Sequence, residues 1–321
     1  MSINTDMKVR VAAVTSVAEK VKRFRFERIG GQPLPYFSGG AHIVVSMQDG
    51  TRLRRNPYSL MSSPNDPSGY EISVLRVDAS RGGSAFMHEQ VKPGDSLVIS
   101  HPVNLFPIDQ RGRKHILMAG GIGITPFMAM MEQLDRTGQA FELHYAVRTR
   151  SHGAYWQALQ ERYGAHRVKT YCDAESLFIP TERLLEHQPL GTHLYVCGPA
   201  GMIDGVLGLA RRAGWPDQNL HSERFLAPPP GKPFRVVLAR SRMDIPVEEH
   251  QSILEALEAA GIDAPFLCRG GACGQCETGV AGADGALEHN DHYLSDAERA
   301  SGRKIMICVS RLKGRELVLD L

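Results

Sequence analysis

The chain has 321 residues, of which 42% are hydrophobic and 22% charged, and its formal net charge is +2. This length fits two or three domains of about 100 residues each, and the composition is not that of a disordered chain. So small a net charge argues against a nucleic-acid-binding or membrane-binding surface.

The N-terminus lacks the apolar core of a signal peptide. The longest uncharged stretch, residues 116–131, is shorter than the roughly 20 residues that span a bilayer. We therefore expect a cytoplasmic protein, and we expect it to be a monomer. In a reducing compartment, clustered cysteines indicate metal binding or redox chemistry rather than disulfides.

Residues 1–110 predict a small antiparallel β-barrel. Short stretches rich in β-branched residues are typical of strands, and turn signals such as Asp49-Gly50 separate them. Many short strands at this spacing indicate a barrel. The predicted strands cover residues 9–14, 42–47, 70–77 and 96–100.

The pattern changes near Lys114, and residues 111–227 predict an α/β domain. Strands are predicted at 115–119, 141–147, 167–172 and 193–197, and helices at 126–134, 155–162, 181–186 and 199–213. Strands that alternate with helices indicate a parallel sheet. Such sheets bind ligands at the carboxyl ends of their strands.

A proline-rich break at residues 227–233 precedes a third predicted domain, residues 228–321. Its first part predicts two strands, at 234–239 and 243–247, and a helix at 252–260. The proline-rich composition is that of a semi-rigid linker.

Four cysteines of this third domain have the spacing of a plant-type [2Fe–2S] centre. Cys268, Cys273 and Cys276 form a C-x4-C-x2-C string, and Cys308 follows after 31 intervening residues. Glycines at 270, 271 and 274 let the loop backbone pass close to a cluster. The alternative is a zinc site, but zinc sites usually pair two C-x2-C knuckles, and no second knuckle surrounds the fourth cysteine.

Two strings at predicted strand ends suit a nucleotide. The segment 119–126, AGGIGITP, joins a strand to a helix and contains Gly120 and Gly121, which would let pyrophosphate approach the helix N-terminus. The string YVCGP places Cys197, Gly198 and Pro199 beside that turn, where a nicotinamide could lie. Taken singly, these strings also fit an ordinary tight turn and an ordinary helix start.

Two further strings suit a flavin, although each alone also fits a solvated loop. In RNPYSL, Arg55 could hold a phosphate and Tyr58 could lie against a flavin ring. The segment 81–84, RGGS, is a second candidate phosphate turn before a helix.

In this order the strings resemble the phthalate dioxygenase reductase family of oxygenase reductases, along essentially the whole chain. The resemblance implies an FMN-binding antiparallel β-barrel, a ferredoxin-reductase-like α/β domain that binds NADH, and a β-grasp ferredoxin domain with a plant-type [2Fe–2S] cluster. FMN follows from the resemblance alone, and the spacing itself leaves FAD open. The flavin contacts that we predict are Arg55, Tyr58, Ser59, Ser73, Leu75, Arg76, Gly82, Gly83, Ser84, Thr125 and Phe225.

The residues predicted to bind the nucleotide are Gly120, Gly121, Asp173, Cys197, Gly198 and Pro199. Asp173 follows a predicted strand and could accept hydrogen bonds from an adenosine ribose while repelling a 2′-phosphate, which favours NADH. Arg148 and Arg150 leave NADPH open.

One departure from the family pattern concerns the flavin phosphate. The family has one residue between its arginine and its tyrosine, whereas two residues separate Arg55 from Tyr58 here. We expect the extra residue to bulge outward at positions 56–57. The sequence leaves open whether Arg54, Arg55 or neither holds the phosphate.

The resemblance predicts a reductase that takes a hydride from NADH and passes single electrons through flavin and cluster to a partner oxygenase of the Rieske type. A cytochrome P450 is the alternative partner. Because the cofactors carry the chemistry, we predict no general acid or base residue. An electron carrier with decayed nucleotide sites and a zinc-stabilised binding module are the alternatives from other functional classes.

Overall fold

A computed structural model describes residues 6–50, 52–78, 81–225 and 230–321. Part of the proline-rich break, residues 227–229, lies outside the described residues, and with it the predicted boundary between the second and third domains. Nowhere in the described ranges is a helix both long and apolar enough to cross a bilayer.

The first domain is an antiparallel sheet with strand order β4-β3-β6-β1-β2-β5, in which β7 also pairs with β3. Just after β4 in the chain, the Met61 N–H donates to the Glu71 carbonyl of β5 at 2.8 Å. This hydrogen bond brings the two ends of the strand order together. The elements are β1 (Met7–Ala18), β2 (Val21–Arg28), β3 (Ala41–Asp49), β4 (Arg52–Ser59), β5 (Tyr70–Leu75), α1 (Gly83–Glu89), β6 (Ser96–Ile99) and β7 (Val103–Asn104).

Alternation explains these strands. In β2, Phe24 and Phe26 are fully buried, while Arg23 and Arg25, which alternate with them, face outward. β2 and β4 were not predicted, because each carries several arginines that hide the apolar pattern. The buried phenylalanines pack with Ile43 of β3 and Ile72 of β5 into one core.

The second domain has five parallel strands in the order β10-β9-β8-β11-β12. The order reverses between β8 and β11, which makes their carboxyl ends the expected ligand edge. The elements are β8 (Lys114–Gly120), α2 (Thr125–Arg136), β9 (Ala140–Val147), α3 (Trp156–Tyr163), β10 (Val168–Cys172), α4 (Thr181–Leu185), β11 (Thr192–Cys197), α5 (Ala200–Arg212) and β12 (Leu220–Glu223).

The third domain is a mixed sheet of order β14-β13-β19-β15-β17, with a separate β16–β18 pair. A capping box, in which Ser252 and Glu255 satisfy each other's backbone N–H groups, starts α6, and its apolar face joins the domain core. The elements are β13 (Phe234–Leu238), β14 (Asp244–Val247), α6 (Ile253–Ala259), β15 (Glu277–Ala283), β16 (Ala286–Glu288), α7 (Asp296–Ser301), β17 (Lys304–Met306), β18 (Arg311–Lys313) and β19 (Glu316–Leu319).

Candidate functional site

The four cysteines predicted to bind a cluster lie together as two pairs. Cys276 Sγ is 3.1 Å from Cys308 Sγ, and Cys268 is hydrogen-bonded to Cys273. Among the residues that the structure describes, no three thiols, imidazoles or carboxylates converge as the ligands of one metal ion do. Two thiol pairs match the ligand arrangement of a [2Fe–2S] cluster, in which each iron is bound by two cysteines.

Each cysteine pair contains one sulfur that is set up as a thiolate. The hydrogen bond from Cys273 lowers the pKa of Cys268 to about 5, and the pKa of Cys273 rises correspondingly. In the second pair, the bond from Cys308 lowers the pKa of Cys276, while that of Cys308 is raised. In each pair the hydrogen bond between the two sulfurs therefore favours one thiolate, and thiolate is the form that binds metal.

The backbone of the cluster loop, residues 268–276, passes close to the cysteine sulfurs. Gly270 N–H donates to the Cys268 sulfur at 3.3 Å. Gly274 has a φ of +76°, and a Cβ at this position would overlap the ring of Tyr293. A side chain is therefore excluded by both conformation and space.

Strand β4 carries the predicted flavin motif without a bulge. Its register with β3 is unbroken from Arg52 opposite Asp49 to Ser59 opposite His42, so the bulge expected at positions 56–57 is wrong. Pro57 is tolerated because β4 ends the strand order and its missing N–H breaks no central ladder. The extra residue instead changes which side chains share a face.

Because strand side chains alternate, Arg54 and Asn56 lie on the same face as Tyr58, and Arg55 lies on the other. The Asn56 amide donates to the Tyr58 hydroxyl at 3.4 Å, and burial raises the pKa of Tyr58 to about 12. Arg55 Nη1 is 2.7 Å from Glu258 Oε2 of the third domain.

Arg54 and Asn56 adjoin the predicted phosphate turn. Arg54 Nε donates to the Arg81 carbonyl at 2.9 Å, and a Cβ on Gly82 would lie 3.4 Å from the Arg54 guanidinium. A Cβ on Gly83 would overlap the Asn56 amide. The structure thus brings Arg54, and not the predicted Arg55, to this turn.

The remaining predicted flavin contacts of this domain differ in their surroundings. The buried Ser84 hydroxyl accepts the Val77 N–H at 3.1 Å. Ser73 Oγ lies 2.6 Å from the hydroxyl of Tyr155 in the second domain, and Leu75 is half-buried at the end of the same strand. Arg76 turns instead to the barrel surface, where its Nη2 is 2.6 Å from Glu89.

At the ligand edge, two of the predicted glycines let two strand ends approach each other. A Cβ on Gly198 would lie 3.0 Å from the Gly120 backbone, and a Cβ on Gly120 would lie 2.7 Å from Pro199 Cδ. Gly121 starts the next turn with a φ of +55°. Thr125 ends that turn, and its hydroxyl donates to the Ile122 carbonyl at 3.0 Å.

Sequence reasoning missed Glu223 at this edge. The register of β11 with β12 puts Glu223 beside Cys197, and Ser59 Oγ donates to its carboxylate at 3.5 Å. Burial raises the pKa of Glu223 to about 8, and it also raises the pKa of the Cys197 thiol. A carboxyl that titrates near neutrality can donate a hydrogen bond or a proton.

Two further predicted residues lie at strand ends. Asp173 follows β10 and is exposed, and Arg150, after β9, is held by Glu175, with Nη2 2.8 Å from Oε2. Phe225, just after β12, is 45% exposed. The single signal for Glu223 in the sequence was its place two residues before this aromatic.

Comparisons with known proteins agree with this geometry. Residues 236–313 match the family model of the 2Fe-2S iron-sulfur cluster binding domain. Residues 98–220 match the N-terminal domain model of the dimethylamine monooxygenase subunit DmmA-like family.

Full-length relatives cover nearly the whole chain. The carnitine monooxygenase reductase subunit of Acinetobacter baumannii is 46% identical and aligns with 97% of this chain and 96% of its own length. The heme-dependent oxidative N-demethylase beta subunit of Ectopseudomonas mendocina is 44% identical, with 99% and 100% covered.

Among solved structures, phthalate dioxygenase reductase, described as a modular structure for electron transfer from pyridine nucleotides to [2Fe-2S], superposes with a TM-score of 0.90. It is 34% identical and 98% of each chain is covered. The predicted three-part fold and the iron–sulfur domain are confirmed.

Proposed function

The chain belongs to the phthalate dioxygenase reductase family and is the reductase component of an oxygenase system, and from that premise we propose its cofactors, its electron route and its partner. The electrons pass from NADH to FMN, then to the [2Fe–2S] cluster, and singly to a separate oxygenase. The observation that carries the proposal is the arrangement of cluster loop, phosphate turn and nucleotide edge around β4.

The chain's own residues bind and orient the groups. Gly120 and Gly198 let the carboxyl ends of β8 and β11 approach each other, and the nicotinamide would lie at this edge beside Cys197. The turn at Gly82 and Gly83, with Arg54, binds the flavin phosphate through N–H groups and a guanidinium. A flavin accepts a hydride and releases its electrons one at a time, while a [2Fe–2S] cluster accepts one electron.

Ser59 and Glu223 lie together at the edge where the hydride would be transferred. While Glu223 is protonated its side chain is neutral, so it places no negative charge at this edge. We assign the remaining predicted contacts, Tyr58, Ser73, Leu75, Ser84, Thr125 and Phe225, to the flavin. Arg54 also pairs with Asp49, but its guanidinium adjoins the turn at Gly82. Arg55 lies on the opposite face of β4 from Tyr58, and Arg76 pairs with Glu89 at the surface, so neither is assigned to the phosphate.

FMN is proposed over FAD from the family resemblance. NADH is proposed over NADPH because the 2′-position would face Asp173 and Glu175, while Arg150 is already paired with Glu175. Chromatography of the flavin released from the protein, and initial rates with NADH and NADPH, test the two choices separately.

For the partner we propose a Rieske-type oxygenase that acts on a methylated amine. The names of two full-length relatives and of one family model support the substrate class, since they concern carnitine, N-demethylation and dimethylamine. A heme-containing oxygenase is the second candidate, which the 44% identity to a heme-dependent N-demethylase subunit favours.

Reconstitution tests the partner. The purified reductase and NADH are combined with a Rieske oxygenase component that acts on a quaternary amine, with one that acts on an aromatic acid, and with a heme N-demethylase component, and product is measured. Turnover fastest with the first supports the proposal, and turnover only with the heme component refutes the Rieske assignment. A reductase that NADH cannot reduce would refute the electron route itself.

We propose a cytoplasmic monomer, with domains that divide near residues 110 and 227, and with neither a nucleic-acid nor a membrane partner. Light scattering on the eluting protein measures the oligomeric state, and a dimer would contradict this part of the proposal.

A further inference from the structure

Two ion pairs join the first domain to the third. Arg55 Nη1 lies 2.7 Å from Glu258 Oε2, and Arg81 Nη1 lies 3.0 Å from Glu255 Oε2. Both carboxylates belong to α6 and are three positions apart, so they lie on neighbouring turns of one helix face. The two arginines belong to the strand and the turn that carry the flavin motifs.

Glu258 also contacts the cluster loop. Arg269, which directly follows the ligand Cys268, places Nη1 3.0 Å from Glu258 Oε2, and only 6% of its side chain is exposed. Its guanidinium lies 3.9 Å from the ring centroid of Phe266. One carboxylate therefore lies between an arginine of the flavin domain and an arginine of the cluster loop.

Glu255 is equally constrained. The carboxylate oxygen that meets Arg81 also accepts the Ser252 N–H at 2.8 Å and its hydroxyl at 3.0 Å. The capping box thus holds the Glu255 carboxylate in the position in which it meets Arg81. Because Arg81 begins the phosphate turn, this pair ties that turn to the start of α6.

These contacts hold the cluster loop against β4. A Cβ on Gly270 would lie 3.9 Å from Pro57 Cγ, and Pro57 directly precedes the flavin contact Tyr58. The side chains of Arg55 and Glu258 are 23% and 19% exposed, so water screens this pair only in part. Isolated surface pairs contribute little, but a half-buried network with shared carboxylates fixes geometry.

We infer that Glu258 and Glu255 form a carboxylate latch that docks the ferredoxin domain on the flavin domain and positions the cluster to receive electrons from the flavin. This inference rests on the proposed electron route. Each electron that leaves the reduced flavin reduces the cluster once, and NADH supplies two. The two glutamates are positioning residues, since neither contacts a reacting group.

The test uses the full-length reductase with flavin and cluster bound, as the variants Glu258→Gln and Glu255→Gln. Glu316→Gln is the matched control, because it removes the same charge from the same domain but pairs with Arg235 within that domain. Stopped-flow absorption after anaerobic NADH addition follows flavin and cluster bleaching separately. Small-angle X-ray scattering reports docking independently of turnover.

For the latch variants we expect flavin reduction by NADH at the control rate and cluster reduction slowed about tenfold, since removing one charge from a half-buried pair weakens docking by about that factor. Scattering should show a larger radius of gyration for both variants. Wild type should expand in the same direction in about 1 M salt, where the Debye length is about 3 Å.

Latch variants that match Glu316→Gln in both cluster reduction and radius of gyration would overturn the inference. If Glu258→Gln loses cluster content through Arg269, Glu255→Gln decides, because its carboxylate does not contact the cluster loop. If NADH reduces neither centre in wild type, the proposed route fails, and the scattering comparison still decides whether the latch exists.

Discussion

The cluster loop and the flavin pocket are built in opposite ways. Three of the four cluster cysteines lie within nine consecutive residues, 268–276, and one loop conformation brings them together. The proposed flavin pocket draws its residues from β4, the turn at Gly82, β5, the start of α2 and the end of β12. Spacing alone therefore predicts the cluster ligands, whereas the flavin contacts depend on strand register and on which domains meet.

The largest effect is expected from a substitution that removes the cluster and leaves the flavin site unchanged. Cys308→Ser leaves Cys276 without the sulfur that lies 3.1 Å from it, so we expect the cluster to be lost and electron delivery to cytochrome c to fall to background. Flavin reduction by NADH, which needs only the first two domains, should persist with ferricyanide as acceptor. Iron and acid-labile sulfide analysis measures cluster content.

Cys172→Ser is the matched control, since Cys172 is equally buried but lies in β10. Full cluster content and full cytochrome c reduction are expected for this control. Retention of the cluster in Cys308→Ser would contradict the assignment of the fourth ligand.

A second experiment concerns the arginine that holds the flavin phosphate. The predicted contact is Arg55, whereas the structure brings Arg54 to the phosphate turn. Removing a charged donor to a phosphate costs about 1.5–3 kcal/mol, so Arg54→Gln should weaken flavin binding by about 10- to 100-fold. Arg55→Gln should change the flavin dissociation constant by less than about threefold, because this residue pairs with Glu258. Fluorescence titration of the flavin-depleted protein measures both, and a reversed order of the two variants would restore Arg55 as the phosphate ligand.

The third experiment concerns Glu223, whose place beside Cys197 is revealed only by the register of β12 with β11. The pKa of Glu223 is raised by burial to about 8 from an ordinary 4.5. The protonated form is neutral, so flavin reduction by NADH should slow by about tenfold as pH rises through 8 and a negative charge appears at the hydride-accepting edge. Stopped-flow rates from pH 6 to 9 measure this decline.

Glu223→Gln should flatten that pH profile. Stability gives an independent readout, because between pH 4.5 and 8 the folded chain holds a proton that the unfolded chain releases. The burial of Glu223 therefore costs more stability as pH rises towards 8, and the glutamine variant should gain melting temperature over wild type at pH 9 relative to pH 6. An unchanged inflection in the variant would assign the titration to another group.

The features that could not be predicted from the sequence were hidden for physical reasons, which can be traced to particular residues. A run rich in β-branched residues predicted β3, and strand–helix alternation predicted the second domain, because local patterns encode both. The arginines of β4 masked its strand pattern, and so the face shared by Arg54, Asn56 and Tyr58 was invisible. Glu223 has no distinctive sequence context, and its place beside Cys197 follows only from the register of β12 with β11.

The smallest expected effect concerns the coenzyme. Arg150 and Glu175 form an exposed pair beside Asp173, with side chains 69% and 36% exposed, and such pairs are worth little. Glu175→Gln removes one negative charge and leaves Arg150 available to a 2′-phosphate, so kcat/KM for NADPH should rise by about threefold while that for NADH stays within a factor of about two. Asp173→Asn is the comparison variant, and a larger gain is expected there if Asp173 faces the ribose directly. A gain from neither variant would place the 2′-position away from the ends of β9 and β10, and the nucleotide edge would then owe its selectivity to residues that spacing did not reveal.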